Sequence, residues 1–331
     1  MVFKSNPIGG DSMISPNVAL IVGPTGVGKT GISIKVAKML KTEIVSCDSM
    51  QIYRHMDIGT AKVTADEAMG VVHHMIDVAE PEQNYSVCSF VKDASEAVND
   101  IISRKMFPLI VGGTGLYADS LVGRISFESE SGADEQYREY LRKMAEINGA
   151  AKLHSMLADV DPQSAEKIHP NNVKRVIRAL EYYKATGKKI SDHNMETSKN
   201  PPLFSAVKIG LTRSRESLYE RINRRVDKMI SDGLLAEVET LASRGCGAEC
   251  TSMQALGYKE VLDCLNGNTD WNETVELIKR DSRRYAKRQL TWFKRDNDIH
   301  WINLDEMNDD DAAEKCADII QTARRAGVEH E

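Results

Sequence analysis

At 331 residues the chain exceeds the usual size of a single domain, and 41% hydrophobic with 28% charged residues is the composition of a soluble globular enzyme, not of a fibre or a disordered tract. The net charge of −6 excludes a uniformly basic nucleic-acid binder but not a local basic patch, because binding follows the local field. No stretch reaches the roughly 20 apolar residues of a membrane span, and the first 17 residues lack the apolar centre of a secretory signal, so a cytoplasmic protein with no membrane partner is expected.

In chain order, residues 1–16 are expected to be disordered. Val18 to Val22 is an apolar strand that runs into Gly23-Pro24-Thr25-Gly26-Val27-Gly28-Lys29-Thr30, after which Ile32, Val36 and Leu40, four apart, mark one face of a helix. Further strands are expected at Glu43 to Cys47 and Pro108 to Val111, separated by helical stretches. That βαβ rhythm predicts an α/β fold: a P-loop NTPase-like parallel sheet with helices on both faces. Ligands would gather at the carboxyl ends of its strands, where Gly23, Asp48 and Gly112-Gly113-Thr114 converge. Strand signals then stop, and 126–199 reads as a helical insertion between the core segments 17–125 and 200–305. A strand at Ala206 to Leu211 resumes the core, with helices from Ser217 to Ser243 and Thr274 to Phe293; 306–331 reads as an acidic C-terminal tail.

Residues 23–30 form a phosphate cradle of the Walker A type. Backbone N–H groups of Gly23, Thr25, Gly26, Val27 and Gly28 can turn inward on phosphates, Lys29 adds a point charge, and the Thr30 hydroxyl is placed to ligate Mg²⁺. The strand ending at Val111 meets Gly112-Gly113-Thr114-Gly115 where a P-loop NTPase would place a metal-holding aspartate. The carboxylate at hand is instead Asp48, in Asp48-Ser49-Met50-Gln51-Ile52-Tyr53. It reads either as a helix cap, with Gln51 at the capping-box offset, or as an acceptor-orienting group beside an amide able to read an adenine edge. The second reading suggests group transfer with a polyphosphate as leaving group or donor. Two basic segments, Lys174 to Lys189 and Lys279 to Arg295, the latter interleaved with Tyr285, Trp292 and Phe293, suit a single-stranded or looped RNA or else are solvated helix faces. Six scattered cysteines (Cys47, Cys88, Cys246, Cys250, Cys264, Cys316) read as reduced thiols, and the Cys246/Cys250 pair lacks the second pair that zinc would need. His73 and His74, adjacent on a strand, point to opposite faces and lack a third ligand.

Ordered motifs extend from the P-loop to Phe293: Asp48 to Arg54, Asp57-Ile58-Gly59-Thr60-Ala61-Lys62, His73-His74-Met75-Ile76-Asp77, and Gly112 to Tyr117. They continue with His169-Pro170-Asn171-Asn172 followed by Arg175, Arg178, Ala179, Leu180 and Glu181, then Gln254-Ala255-Leu256-Gly257-Tyr258-Lys259, then Tyr285-Ala286-Lys287-Arg288-Gln289 with Trp292-Phe293. On these residues the chain resembles the tRNA dimethylallyltransferases, also called tRNA isopentenyltransferases, of the IPP transferase family. The resemblance implies dimethylallyl diphosphate as donor, Mg²⁺ as cofactor, and as acceptor the exocyclic N6 amine of the adenosine immediately 3′ of a tRNA anticodon. It implies Asp48 and Thr114 as catalytic residues, with Asp48, Ser49, Met50, Gln51 and Thr114 on the nucleotide. It points to Arg138, Lys174, Arg175, Arg178, Gln254, Gly257, Tyr258, Lys259, Lys287 and Arg288 as tRNA contacts, in a monomer bound to the anticodon stem-loop. Arg138 could instead be a surface charge and Gly257 a turn residue. Arg221 and Arg224 are candidates to close on the diphosphate, or ordinary helix salt bridges. The rival readings are an adenylate dimethylallyltransferase, for which so many cations would be superfluous, and a P-loop small-molecule kinase, against which the missing strand-end aspartate weighs.

Overall fold

The computed structural model describes residues 16–123, 134–197 and 201–328. The stretch expected to be disordered, Pro16 apart, and the 126–132 boundary of the insertion lie outside the described residues. Strands β1 (Val18–Val22), β2 (Ile44–Ser46), β3 (His73–His74), β4 (Leu109–Gly112), β5 (Ala206–Thr212) and β6 (Ile299–Asn303) form a sheet in the order β3-β2-β4-β1-β5-β6, with every pairing parallel. The continuous apolar run of β1 follows from burial on both faces. Ala19 and Ile21 join Ile44, Leu109 and Ile209 in one apolar cluster, whereas Val18, Leu20 and Val22 join Val45 and Ile110 in another.

Helices α1 (Lys29–Leu40), α2 (Ala65–Ala68), α3 (Val87–Ser103) and α4 (Gly115–Val122) alternate with the first four strands. α1 covers the first cluster; α3 and α4 cover the second. The chain divides into two compact units, Met1–Val122 with Phe204–Glu331, and Gly123–Leu203. The second carries α5 (Glu135–Asn148), α6 (Ala150–Val160), α7 (Pro162–Lys167), α8 (Val173–Thr186) and α9 (Ile190–Thr197) around its own core of Leu141, Leu153, Leu157, Val176 and Leu180. Back in the first unit, β5 is followed by α10 (Arg215–Ser231), α11 (Leu234–Ser243), α12 (Tyr258–Leu265) and α13 (Trp271–Phe293), and β6 by α14 (Asp309–Val328).

Two expectations change. The helix expected over Ser217 to Ser243 breaks into α10 and α11 at Gly233, whose φ of 103° is a left-handed conformation that glycine enters without a Cβ penalty. The segment 306–331, expected as an acidic tail, holds α14. There Ala312, Ala313, Cys316 and Ile320 recur on one face and are buried on the α1 side of the sheet, while Asp310 pairs with Lys35 at 2.6 Å. Asp309, Asp310 and Asp311 occupy the first turn, where they complement the helix dipole.

Candidate active site

The phosphate loop turns from β1 into α1. Gly26 has a φ of 79° and lies so close to α10 that a Cβ there would meet Ile222 at 2.8 Å. Helix α10 buries Leu218, Ile222 and Val226 at a spacing of four, which brings Arg221 and Arg225, also four apart, to the loop side. Arg221 Nε donates to the Gly26 carbonyl at 2.9 Å, and Arg213 Nε to that of Val27 at 3.0 Å. Lys29 Nζ donates to the carbonyls of Gly23 (2.9 Å) and Pro24 (3.0 Å). Burial pulls the Lys29 pKa down to about 8; the Asp48 carboxylate opposes that shift and the Arg225 guanidinium adds to it. Burial likewise lowers the pKa of Arg225, again against Asp48, and that of Arg221, with Arg213 contributing. Thr30 is exposed in the first turn of α1.

Asp48 does not begin a helix. Its Oδ1 accepts from Met50 N–H at 2.9 Å, closing a turn over residues 48–50. The capping box with Gln51 is absent as well: the Gln51 amide oxygen accepts from the Ser46 hydroxyl at 3.0 Å, and its nitrogen faces the Thr60 and Ala61 carbonyls at 3.4 Å each. Thr114 Oγ1 accepts from Ser49 N–H at 3.0 Å and lies 3.3 Å from the Ser49 hydroxyl, so it fixes the Asp48–Ser49 turn from below.

Three residues to which sequence reasoning gave no place at the phosphate site complete the arrangement. Arg225 donates to the Thr60 carbonyl at 3.3 Å and lies close enough to Asp48 and Lys29 to influence both. On α13, Gln289 accepts from Thr25 N–H at 2.8 Å and donates to the Gly113 carbonyl at 2.8 Å, joining the phosphate loop to the loop after β4. Tyr285, one turn earlier, neighbours Thr114 and Gln289, and burial first, then Asp48, pushes its phenol up to about 12. The spacing carried a signal for all three: Arg221/Arg225 and Tyr285/Gln289 are both i, i+4 pairs.

A cavity of about 780 Å³ gathers most of these groups, but neither Thr114 nor Arg213 is part of its lining. Of the expected diphosphate ligands it exposes Thr25, Gly26, Gly28, Lys29, Thr30, Arg221 and Arg224, of the expected nucleotide contacts Asp48, Ser49, Met50 and Gln51, and of the expected tRNA contacts Gln254, Lys259 and Arg288. Ile222, Val226, Met229, Leu256 and Ile278 supply apolar wall. Gly23 and Val27 are buried behind the loop. Arg224 is exposed and pairs with Glu220 at 3.7 Å.

Some expected RNA contacts are otherwise engaged. Tyr258 is wholly buried, its ring filling the space where a Gly59 side chain would be and its hydroxyl donating to Glu237; Gly257 is buried too, its N–H donating to Glu260 at 2.8 Å as α12 begins. Both hold the fold and neither presents a surface. In the other unit, Arg138 donates to Glu181 at 2.7 Å and to Glu135 at 3.0 Å. Lys174 and Arg175 are exposed and Arg178 half-buried on α8, without side-chain partners among the described residues. The basic run of α13 is partly neutralised: Lys279 pairs with Asp227, Arg280 and Arg284 with Asp281, and Arg283 bonds Asn223, whereas Lys287 has no side-chain partner among the described residues. His73 Nδ1 meets the Val71 carbonyl and His74 Nε2 meets Glu43, and no group of three or more His, Cys, Asp or Glu suited to a metal occurs among the described residues. No described helix is long and apolar enough to cross a membrane.

A parallel sheet, a phosphate loop between its central strand and the following helix, and a carboxylate turn at the end of β2 define a P-loop α/β protein with two facing half-sites. The family described as IPP transferase matches residues 51–296, and the description isopentenyl transferase matches residues 16–80. The chain belongs to the IPP transferase family. It is 48% identical over 295 residues to a tRNA dimethylallyltransferase of Acetivibrio thermocellus, covering 89% of this chain and 94% of that one. With a tRNA dimethylallyltransferase of Bacillus mycoides it shares 49% identity over 304 residues, 92% and 93% of the respective chains. Among solved structures it is similar to the full-length tRNA isopentenylpyrophosphate transferase of Bacillus halodurans, with a TM-score of 0.72 and 42% identity over 95% of this chain and 99% of that one. It is also similar to a eukaryotic dimethylallyltransferase acting on tRNA, with a TM-score of 0.73 and 30% identity over 86% and 73%.

Proposed function

We propose that this chain transfers the dimethylallyl group of dimethylallyl diphosphate to the exocyclic N6 amine of the adenosine immediately 3′ of a tRNA anticodon, releasing diphosphate. The observation that carries the reading is the cavity in which the phosphate loop and the Asp48–Gln51 turn face each other beside an apolar wall. The allylic C–O bond breaks, an N–C bond forms, the amine proton passes to Asp48, and the diphosphate leaves on the P-loop. The backbone N–H groups of the loop, Lys29, Arg221 and Arg225 meet the charge that develops on the leaving oxygen. One Asp48 oxygen is held by Met50 N–H, which leaves the other to accept from the amine. Thr114 holds that turn through Ser49, and Tyr285, a neutral phenol in the physiological range, stands beside Thr114. Val226, Met229 and Ile278 surround the prenyl group and keep water from it.

Mg²⁺ fits the donor set. Thr30, whose hydroxyl lines the cavity with a hard oxygen at the start of α1, would hold it beside the diphosphate. When bound, the ion neutralises diphosphate charge. Lys174, Arg175, Arg178, Lys287 and Arg288 bind tRNA phosphates, Gln254 and Lys259 contact the loop at the cavity, and Arg138 holds α5 against Glu181.

Incubation with dimethylallyl diphosphate and either tRNA or adenosine monophosphate tests the reading, with a five-carbon mass gain expected on tRNA alone. Gain on the mononucleotide alone would make the chain an adenylate dimethylallyltransferase, and productive ATP hydrolysis with neither product would make it a kinase-like enzyme.

A further inference from the structure

Glu237, on α11, lies outside the cavity, yet its carboxylate collects four donors. Oε2 accepts from Asp57 N–H and Ile58 N–H, each at 2.8 Å, and Oε1 accepts from Gly59 N–H at 3.1 Å and from the Tyr258 hydroxyl. Three consecutive N–H groups turned to one point make an anion-binding concavity, and here the chain fills it with its own carboxylate. Charge-assisted bonds of this kind are roughly twice as strong as neutral ones. The loop is pinned from its other side by Lys62, whose Nζ donates to the Tyr53 carbonyl (2.6 Å), Asp57 (2.7 Å) and Asp77 (2.6 Å). The Tyr258 ring beneath Gly59 fixes its height.

The pinned loop is a wall of the active cavity. Gly59, Thr60 and Ala61 line it, and the Thr60 and Ala61 carbonyls are the acceptors that aim Gln51 (3.4 Å each), with Thr60 also aiming Arg225 (3.3 Å). One carboxylate therefore sets the carbonyls that orient a group on the acceptor side and a group on the diphosphate side.

We infer that Glu237 is a positioning residue for prenyl transfer, acting through the 57–61 loop on Gln51 and Arg225; the inference rests on the function proposed above. Glu237→Gln keeps the shape but turns an NH₂ toward N–H donors that need an acceptor. A misplacement on the order of 1 Å at reacting groups costs about 10²-fold, so turnover per folded molecule should fall by about that factor, tRNA affinity should be unchanged, and amide hydrogen exchange should quicken at Asp57, Ile58 and Gly59 but not in β1. Wild-type protein run alongside separates the two readings: if it fails to modify tRNA, the proposed function fails, whereas if it succeeds and Glu237→Gln matches it, this inference alone is overturned. A purely structural Glu237 would lower stability and quicken exchange while leaving turnover per folded molecule at the wild-type value, which also overturns it. Should Glu237→Gln not fold, Tyr258→Phe removes one donor and leaves the three N–H groups in place. Slower turnover with faster exchange at Gly59 then supports the inference, and turnover equal to wild type overturns it.

Discussion

Raising the pH should weaken diphosphate binding through Lys29. Burial beneath the phosphate loop sets its pKa at about 8, so between about pH 7 and about pH 9 the cationic fraction falls from about nine-tenths to about one-tenth. The ligand is an anion, hence the cation is the binding form: affinity is highest below the pKa and is lost as the pH rises through it. If only the cation binds, the apparent Kd for dimethylallyl diphosphate grows about tenfold over that range, and binding takes up a proton in the same window. Calorimetry at constant ionic strength in two buffers of different ionisation enthalpy reads both quantities. Because Asp48 holds the ammonium up against burial, Asp48→Asn should move the midpoint to lower pH. Lys29→Arg keeps its charge throughout and should flatten the curve at whatever affinity it retains. An affinity that is level across the range in the wild type, or a Lys29→Arg curve that falls like the wild type's, would refute the reasoning.

Asp48→Ala should lose roughly 10²–10⁴ in single-turnover rate with tRNA affinity intact, since a proton acceptor goes and the basic surfaces stay; a near-normal rate would reduce Asp48 to a turn-former. Gly59→Ala would place a Cβ 2.4 Å from the buried Tyr258 ring, and overpacking of that kind costs about 1–3 kcal/mol; an unshifted thermal midpoint would show that the ring gives way freely. Neutralising Arg175 and Arg178 together should weaken tRNA binding and leave dimethylallyl diphosphate binding alone. The salt dependence of tRNA binding should flatten by somewhat under about one unit of slope for each RNA phosphate that the variant no longer neutralises. Unchanged slopes would mean that α8 presents a solvated face.

The phosphate loop was legible because its chemistry is local: eight consecutive residues, a strand before and a helix after, suffice to define it. Asp48 could be picked out as a strand-end carboxylate, but not as a turn rather than a cap, because the deciding partner of Gln51 is the Thr60–Ala61 backbone, which pattern does not foretell. Gln289 was visible as part of a motif, but its role stayed hidden because it reaches Thr25 across 264 residues of sequence. Glu237 was equally silent, since an acid on a helix face looks the same whether it meets water or three N–H groups. Tyr258 misled in the other direction: it sits in a motif beside Lys259, which faces the cavity, and only packing against Gly59 reveals it as core. Strand β6 is five residues among polar neighbours, and the buried face of α14 is mostly alanine and cysteine, with Ile320 the one large fully buried side chain among its described residues, and so carries little periodic contrast.

The Gln289 amide has one donor end and one acceptor end, and each is spent on a different loop. Asparagine alone carries the same planar group, and it is a methylene too short. In the proposed reaction helix α13 would thereby serve as a common datum for donor and acceptor, so that the gap between a prenyl carbon and an adenine nitrogen is gauged in part by a residue that need touch neither. Drift of one strand end relative to the other would be felt at both loops at once. Tuning the donor pocket for another prenyl chain without re-registering the acceptor therefore means leaving this amide where it is and reshaping the apolar wall around it.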